Sequence, residues 1–295
     1  MPPKQRANPP LPQIHGLRFA TSRDIWRAGL VISAGFGVCP EAAWLQPYLR
    51  TYPQDSLLSA QQSVEWAIRS EDAAILVVED HYDPAETETM HGIVPHVHNK
   101  AQPMPGEKIV VGVAVWWFDA ESPRTGQFAD TEGPFPELDE GPHRDEYEEH
   151  VSRYNDKNDE LLKKYLSTSG MELHTLVIHP TYWRRGHGRT LVEWGMRLAD
   201  IDQEDLCICA TNGGLKLYRP LGCELLESWR MEGDEVSPTG VAGNIVRYVP
   251  RKERGDPEDG SVETAVMALS ERLSETEFGG EQDKGLGEKN GLVVR

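Results

Sequence analysis

The order of apolar and polar residues along the chain predicts a mixed α/β protein. Short apolar or alternating runs predict strands at 17–21, 74–80, 108–119, 171–178, 206–211, 223–231 and 244–250. Apolar residues at helical spacing predict helices at 23–35, 144–166, 186–199 and 213–221, and a helical region at 40–70 that Pro47 and Pro53 interrupt. This order predicts a central sheet that is mixed but largely antiparallel and is flanked by helices.

Length and composition indicate one folded domain with appendages. The chain has 295 residues, of which 38% are hydrophobic, enough for one core. We expect the domain to span 16–249 and to contain an acidic insertion at about 120–168. Residues 1–15 are rich in proline and residues 250–295 are charged, so we expect both ends to be largely disordered.

The charge of the chain limits the classes of partner. The formal net charge is −18, and residues 130–160 contain twelve Asp or Glu against three Lys or Arg. Such a chain lacks the basic surface that nucleic-acid binding requires. Its longest apolar run, residues 109–118, is about half the ~20 residues of a membrane-spanning helix. We therefore expect a cytoplasmic or nuclear protein without nucleic-acid or membrane partners; the sequence does not decide its oligomeric state.

The cysteines and histidines do not predict a metal site. Cys39, Cys207, Cys209 and Cys223 lack the paired spacing of a zinc site, so we expect buried, reduced thiols. A loop contains three closely spaced histidines, His91, His96 and His98. No carboxylate accompanies them at a defined spacing, so an exposed loop is the simpler interpretation and we expect no metal.

A basic turn links the strand at 171–178 to the helix at 186–199. Its sequence, "HPTYWRRGHGRT", places Gly186 and Gly188 at the helix start among Arg184, Arg185 and Arg189. A helix N-terminus has unsatisfied N–H groups and partial positive charge, and glycine lets an anion approach the backbone. The turn therefore predicts a phosphate site, although glycines that only permit close packing would give the same pattern. The sequence matches neither GxxxxGK[ST] nor GxGxxG.

These residues resemble the GNAT superfamily of N-acetyltransferases. The superfamily signature [Q/R]-x-x-G-x-[G/A] is similar to the segment that ends in Gly186 and Gly188, with Pro180 in the usual upstream proline position. Further along, "LYRPLGCE" resembles a second signature, in which Tyr218 and Gly222 match. Two residues depart from the pattern: Trp183 stands where Gln or Arg is usual, and Cys223 replaces a phenylalanine.

The resemblance implies a GNAT fold and acetyl-CoA as co-substrate. It assigns backbone contacts to the strand and phosphate contacts to the loop and helix start, with one further contact from an asparagine. The implied cofactor residues are Leu176, Val177, Ile178, Arg184, Arg185, Gly186, His187, Gly188, Arg189, Thr190 and Asn212.

The strand "MELHTLVIHP" is most similar to the corresponding strand of arylalkylamine N-acetyltransferases. The resemblance places Glu172 and His174 at two proton-removing positions, with His174 as base and Glu172 as relay or alternative base. Strict alternation predicts that Glu172, His174, Leu176 and Ile178 share one face of the strand. Tyr218 corresponds to the residue that protonates the departing thiolate. The structural alternative for Glu172 and His174 is that both only line the polar face of the strand. For Tyr218 the alternative is aromatic packing of a short helix onto the sheet.

The function predicted from the resemblance is acetyl transfer to an amine, with a small molecule as the acceptor. A base is useful because an alkyl amine of pKa about 10 is mostly protonated near pH 7. Trp116, Trp117 and Phe118 form an aromatic group suited to the acceptor pocket. The acidic segment 130–160 is either a solvated surface, which we favour, or a lid that attracts amines. Protein acetylation and a non-catalytic CoA-binding module remain alternative functions.

Overall fold

A seven-stranded sheet forms the centre of the protein. The computed structural model describes residues 11–89, 103–119, 121–166 and 170–251. The strands are β1 (Leu17–Phe19), β2 (Ala73–His81), β3 (Lys108–Phe118), β4 (Met171–Ile178), β5 (Leu206–Ala210), β6 (Glu224–Met231) and β7 (Val241–Tyr248). They lie in the order β1-β2-β3-β4-β5-β7-β6, and only β4 and β5 pair in parallel. The predicted mixed, largely antiparallel sheet is thus confirmed.

In the described part of the chain, six α-helices flank the sheet. They are α1 (Ile25–Phe36), α2 (Pro40–Leu45), α3 (Pro53–Arg69), α4 (Glu148–Tyr165), α5 (His187–Asp202) and α6 (Asn212–Tyr218). Pro40 and Pro53 begin α2 and α3, as expected for a residue that has a helical φ and no N–H to satisfy. No helix in the described ranges combines the length and apolar character needed to cross a membrane.

Each face of the sheet packs against its own set of helices. One core contains α5 and side chains such as Trp116 and Leu173; Trp116 lies so close to Gly195 that a Cβ there would collide with its ring. The other face packs against α1 and α3 through residues such as Val113 and Val177. All four cysteines are buried and free, which confirms the predicted reduced thiols. The sheet therefore separates two compartments.

The acidic insertion is more than a solvated surface. Residues 121–141 form no helix or strand, as predicted, but α4 buries one side among Trp44, Cys207 and Trp229. The helix predicted at 144–166 is observed as α4, and two of its buried positions, His150 and Asn158, are polar. These two residues interrupt the apolar periodicity by which a packed helix face is detected.

The two ends of the chain and the loop between β2 and β3 are only partly described by the structure. Of residues 1–15, for which disorder is expected, residues 1–10 lie outside the described residues, and Leu11 and Ile14 pack against the core. The loop with His91, His96 and His98, and all but the first two residues of the segment 250–295, lie outside the described residues.

Candidate active site

The predicted phosphate loop ends in an open helix N-terminus. Gly186 is the N-cap of α5, with a left-handed φ of 88°, and provides no side-chain cap. A Cβ on Gly186 would meet no atom within 4 Å, so the space beside the backbone is empty of protein. The first N–H groups of α5 have no acceptor within the helix. This arrangement is suited to binding an anion.

Some of the basic side chains of this loop form ion pairs with carboxylates of the same protein. Arg185 pairs with Asp80 at 3.0 Å and with Asp83 at 3.3 Å, and His187 Nε2 lies 3.0 Å from Asp80. Burial raises the pKa of Asp80, but hydrogen bonds from His187 and Arg185 bring the pKa below its ordinary value. The loop is thereby fastened to the end of β2.

The other two arginines differ in their surroundings. Arg189 donates to Glu193 one helical turn away, at 2.7 Å. Arg184 has a left-handed φ of 67° and makes no ion pair with a described residue. A bound phosphate would therefore find Arg184 available and would compete with carboxylates for Arg185.

The strand β4 separates from β5 beside this loop. The two strands pair over only three residues, Met171–Leu173, after which β5 continues along β7. The N–H group of His179, which follows β4, donates to the carbonyl of Val111 on β3. Because an antiparallel ladder alternates, the backbone of Val177 also faces β3, while Leu176 and Ile178 face the open edge. Trp183 Nε1 donates to the Ile178 carbonyl at 2.7 Å, which fills one acceptor on that edge.

Tyr218 carries a buried hydroxyl group in the core on the α5 side of the sheet. Its side chain is fully buried at the end of α6, in the core that includes Leu176 and Ile178. No described residue hydrogen-bonds to the hydroxyl, and burial raises the pKa of Tyr218 well above its ordinary value. A buried hydroxyl without a partner costs about 1–3 kcal/mol, so this atom is a candidate for contact with a bound group.

Asn212 lies at the start of α6, where its side chain has a structural contact. Its Oδ1 accepts a hydrogen bond of 3.0 Å from Asn244 Nδ2 on β7, and its backbone N–H donates to Glu41. The side chain is exposed. The contact with Asn244 holds the amide towards β7, so its predicted role towards the cofactor stays a prediction.

A bulge in β4 arranges the two predicted proton-transfer residues. Val115 and Trp116 are adjacent residues of β3, and they pair with Thr175 and Leu173 of β4. His174 is therefore the extra residue of the bulge. The expected side-by-side placement of Glu172 and His174 is observed, with 3.7 Å between Glu172 Oε1 and His174 Nδ1.

The bulge also overturns part of the face prediction. Leu176 and Ile178 belong to the core on the α5 side, together with Leu173. Strict alternation placed these two residues on the face of Glu172 and His174, and it fails because the extra residue reverses the direction of every side chain that follows.

A cavity of about 450 Å³ opens beside His174 on the face opposite α5. Its wall comes from α1, α3, α4 and the central strands, and it includes His174, Thr175, Trp117, Trp66, Gln46, Glu146, Asn155 and Asp159. Of the predicted aromatic group only Trp117 faces it. Trp116 packs near Trp194 and Phe118 stacks on Phe128 in the other core, so their predicted role is corrected.

The cavity also contains residues that the sequence did not indicate. Gln46 and Trp66 come from the helical region at 40–70, to which the sequence assigned no role in a site. Glu146 and Asp159 belong to the acidic segment 130–160, for which a lid that attracts amines was the less favoured interpretation. In the described ranges, no three His, Cys, Asp or Glu side chains are grouped so as to hold a metal ion.

Comparisons with known proteins give the following relatives. No protein-family model matches the chain. A protein described as an acetyltransferase from Stachybotrys chartarum is 27% identical over 249 residues, which cover 83% of this chain and 95% of that protein.

Two solved structures are among the similar folds. A histone acetyltransferase HPA2 and related acetyltransferase from Corynebacterium glutamicum has a TM-score of 0.45 and 18% identity, over 79% of this chain and 95% of its own. A putative arylalkylamine N-acetyltransferase 7 from Aedes aegypti has a TM-score of 0.46 and 7% identity, over 79% of this chain and 86% of its own.

Proposed function

We propose that this chain, an acetyltransferase of the GNAT type, transfers the acetyl group of acetyl-CoA to the amine of a small molecule. One observation carries the proposal: His174 lies at a strand bulge, lines a 450 Å³ cavity, and stands next to the point where β4 and β5 separate. A cavity of this volume suits a small ligand. An amine inside it would meet His174 close to the open edge of β4.

The residues at that edge fit acetyl-CoA. The open N-terminus of α5 and Arg184 suit a pyrophosphate, and the outward backbone groups of Leu176 and Ile178 suit an extended amide-bearing arm. The unpartnered hydroxyl of Tyr218 is a polar position in an otherwise apolar core that also contains Leu176 and Ile178. When bound, acetyl-CoA supplies the thioester carbonyl that the amine attacks.

His174 is suited to remove the proton from the attacking amine. Its side chain is 29% exposed and lines the cavity, whereas Glu172 behind it is only 7% exposed. A buried carboxylate 3.7 Å away stabilises the imidazolium that forms when His174 accepts a proton. We therefore assign His174 as base and Glu172 as the residue that orients it and relays charge.

Tyr218 is suited to act on the leaving side of the reaction. Its O–H has no acceptor among the described residues, so the hydroxyl is available to donate to a departing thiolate. The backbone N–H groups of Leu176 and Ile178 face the same edge and provide donors for a developing oxyanion. The roles of base, acid and oxyanion donor thus fall on separate groups.

The test is release of CoA thiol from acetyl-CoA over panels of arylalkylamines, alkyl diamines, amino acids and peptides. We expect turnover of a small amine, and a loss of about 10²–10⁴-fold in kcat for His174→Ala. Turnover equal to wild type in both His174→Ala and Tyr218→Phe would contradict the catalytic assignment. Preference for peptides over every small amine would favour the protein-acetylating alternative.

A separate measurement tests the cofactor site. Gly188→Asp places a negative charge at the start of α5, where a Cβ has ordinary contact distances of 3.5 Å to Leu217 and 3.7 Å to Ile178. We expect it to abolish CoA binding in calorimetry without unfolding the protein. Tight CoA binding by wild type with no thiol release from any acceptor would instead identify a non-catalytic CoA-binding module.

A further inference from the structure

We propose that the cavity accepts an amine with a second positive charge about 10 Å from the acetylated nitrogen, as in an α,ω-diamine or a polyamine. The inference rests on the proposed function, because it assigns the far end of the same cavity. It is carried by the charges, the buried acceptor and the dimensions of the cavity wall.

Apart from His174, the ionisable side chains of the wall are acidic. Glu146 and Asp159 line the cavity, and no Lys or Arg is among its described lining residues. Glu146 forms no salt bridge with a described residue, and burial raises the pKa of its carboxyl group. A carboxylate in this position is stabilised when a ligand brings an ammonium group, because an opposite charge favours the ionised form.

A buried hydrogen-bond acceptor accompanies the carboxylate. Gln46 lines the cavity and is only 7% exposed, and its Oε1 receives no hydrogen bond from a described residue. Glu146 is held beside it, because Tyr147 N–H donates to the carbonyl of Leu45. An ammonium group has three donors and no acceptor, so it satisfies both the amide oxygen and the carboxylate.

The helix α3 runs along the cavity and gives the distance between its acidic end and its aromatic end. Ser59 Oγ bonds to His143 Nδ1, and Glu146 N–H donates to the His143 carbonyl, so Ser59 marks the acidic end. Trp66 marks the other end, where its ring lies 4.6 Å from Trp117. Both residues line the cavity and are seven positions apart, or about 10 Å along a helix.

Aromatic rings at the catalytic end suit the reacting amine. Trp117 lies edge-on to His174 at 5.8 Å, and Trp66 beside it is 61% exposed at the cavity wall. Aromatic faces attract ammonium groups and cover the apolar carbons next to them. The wall thus offers apolar and aromatic contacts near His174 and polar, anionic contacts near Glu146.

The experiment compares two acceptors with the full-length protein: a seven-carbon α,ω-diamine and the corresponding monoamine with a terminal methyl group. CoA release gives kcat/KM, and calorimetry gives the dissociation constant of each amine. We expect the diamine to be favoured at least tenfold in both measurements. Glu146→Gln is expected to bring the ratio close to one, whereas Glu148→Gln, an exposed carboxylate outside the cavity, leaves the ratio unchanged.

The outcomes separate this inference from the proposed function. Equal kcat/KM for the two amines, or an equal loss for both in Glu146→Gln, overturns the inference while acetyl transfer stands. Binding of the diamine that depends on Glu146, with no CoA release, supports the charge site and overturns the transferase proposal. If Glu146→Gln fails to fold, Gln46→Met removes the buried acceptor instead, and an unchanged ratio in that variant overturns the inference.

Discussion

The indole N–H of Trp183 donates a hydrogen bond to the carbonyl of Ile178, the last residue of β4, across 2.7 Å. The GNAT signature usually places Gln or Arg where this tryptophan stands. In this chain the side chain at that position fastens the loop to the strand. Under the proposed function, the phosphate contact of the missing side chain would fall to Arg184 and the backbone of α5.

Trp183→Phe keeps an aromatic ring but removes the donor. Since one hydrogen bond contributes about 0.5–1.5 kcal/mol, we expect a modest fall in the midpoint of thermal unfolding. We also expect CoA to bind several-fold more weakly, because the loop that presents Arg184 is less well fixed. Calorimetry with CoA checks this. An unchanged affinity with a lower midpoint would limit Trp183 to a structural role.

Tyr218→Phe is expected to lower activity and raise stability at once. The hydroxyl is fully buried without a partner among the described residues, so its removal relieves a desolvation cost of about 1–3 kcal/mol. If the hydroxyl protonates the thiolate, kcat falls by about 10²-fold or more. Chemical denaturation and steady-state kinetics on the same preparation measure both effects. A loss of stability would indicate that the hydroxyl contributes to packing or has a hydrogen-bond partner within the protein.

Asp80→Asn is expected to tighten the binding of CoA. Asp80 pairs with both Arg185 and His187, so its neutralisation releases positive charge for a pyrophosphate. We expect the dissociation constant to fall about threefold to tenfold at low salt and the difference to shrink at high salt. Glu71→Gln, an exposed carboxylate that precedes β2, is the control. Weaker binding would show that Asp80 positions the loop for the cofactor.

Substitution of Asp145 is predicted to raise the stability of the folded protein by an amount that depends on pH. Both of its carboxylate oxygens are buried without a described hydrogen-bond partner. Burial and the neighbouring Glu146 raise the pKa of Asp145 from 3.8 to about 6, although its own amide N–H offsets part of this. The folded state therefore binds more protons than the unfolded state between these values, and stability falls as the pH rises through about 6.

Asp145→Asn removes this titration. We expect it to stabilise the protein by about 1–3 kcal/mol above pH 7 and by much less at pH 4. Urea denaturation at the two pH values measures the difference, and Asp156→Asn on the exposed side of α4 is the control. An equal effect at both values would show that the Asp145 carboxyl does not titrate as described.

The parts of the fold that depend on local sequence could be predicted. The helical region at 40–70 was predicted with interruptions at Pro47 and Pro53, and the structure has two helices there, α2 and α3, of which α3 begins at Pro53. The glycines of the loop mark the start of α5. The bulge at His174 could not be predicted, because no glycine or other special residue stands there and its cause is the register with β3. Knowing that β4 is a strand was therefore insufficient to assign the faces of Leu176 and Ile178.

The cavity was the part of the site least accessible to prediction. Gln46, Trp66 and Glu146 are distant in sequence, and only the packing of α3 and α4 on the sheet brings them together. The polar residues of α4 resembled those of a solvated helix, since a cavity wall and a solvent-exposed face have the same composition. Glu146 and Asp159, which carry the proposed specificity together with Gln46, were thus visible in sequence only as part of an acidic insertion.

The acidic wall has a consequence for turnover. Acetylation converts an ammonium group into a neutral amide, so the product carries one positive charge fewer than the substrate. If the proposed amine binds in this cavity, a wall with Glu146 and Asp159 and no described Lys or Arg would hold the product less strongly than the incoming amine. The reaction itself would then weaken the attraction between the wall and the acceptor, and the loss of charge would favour product release.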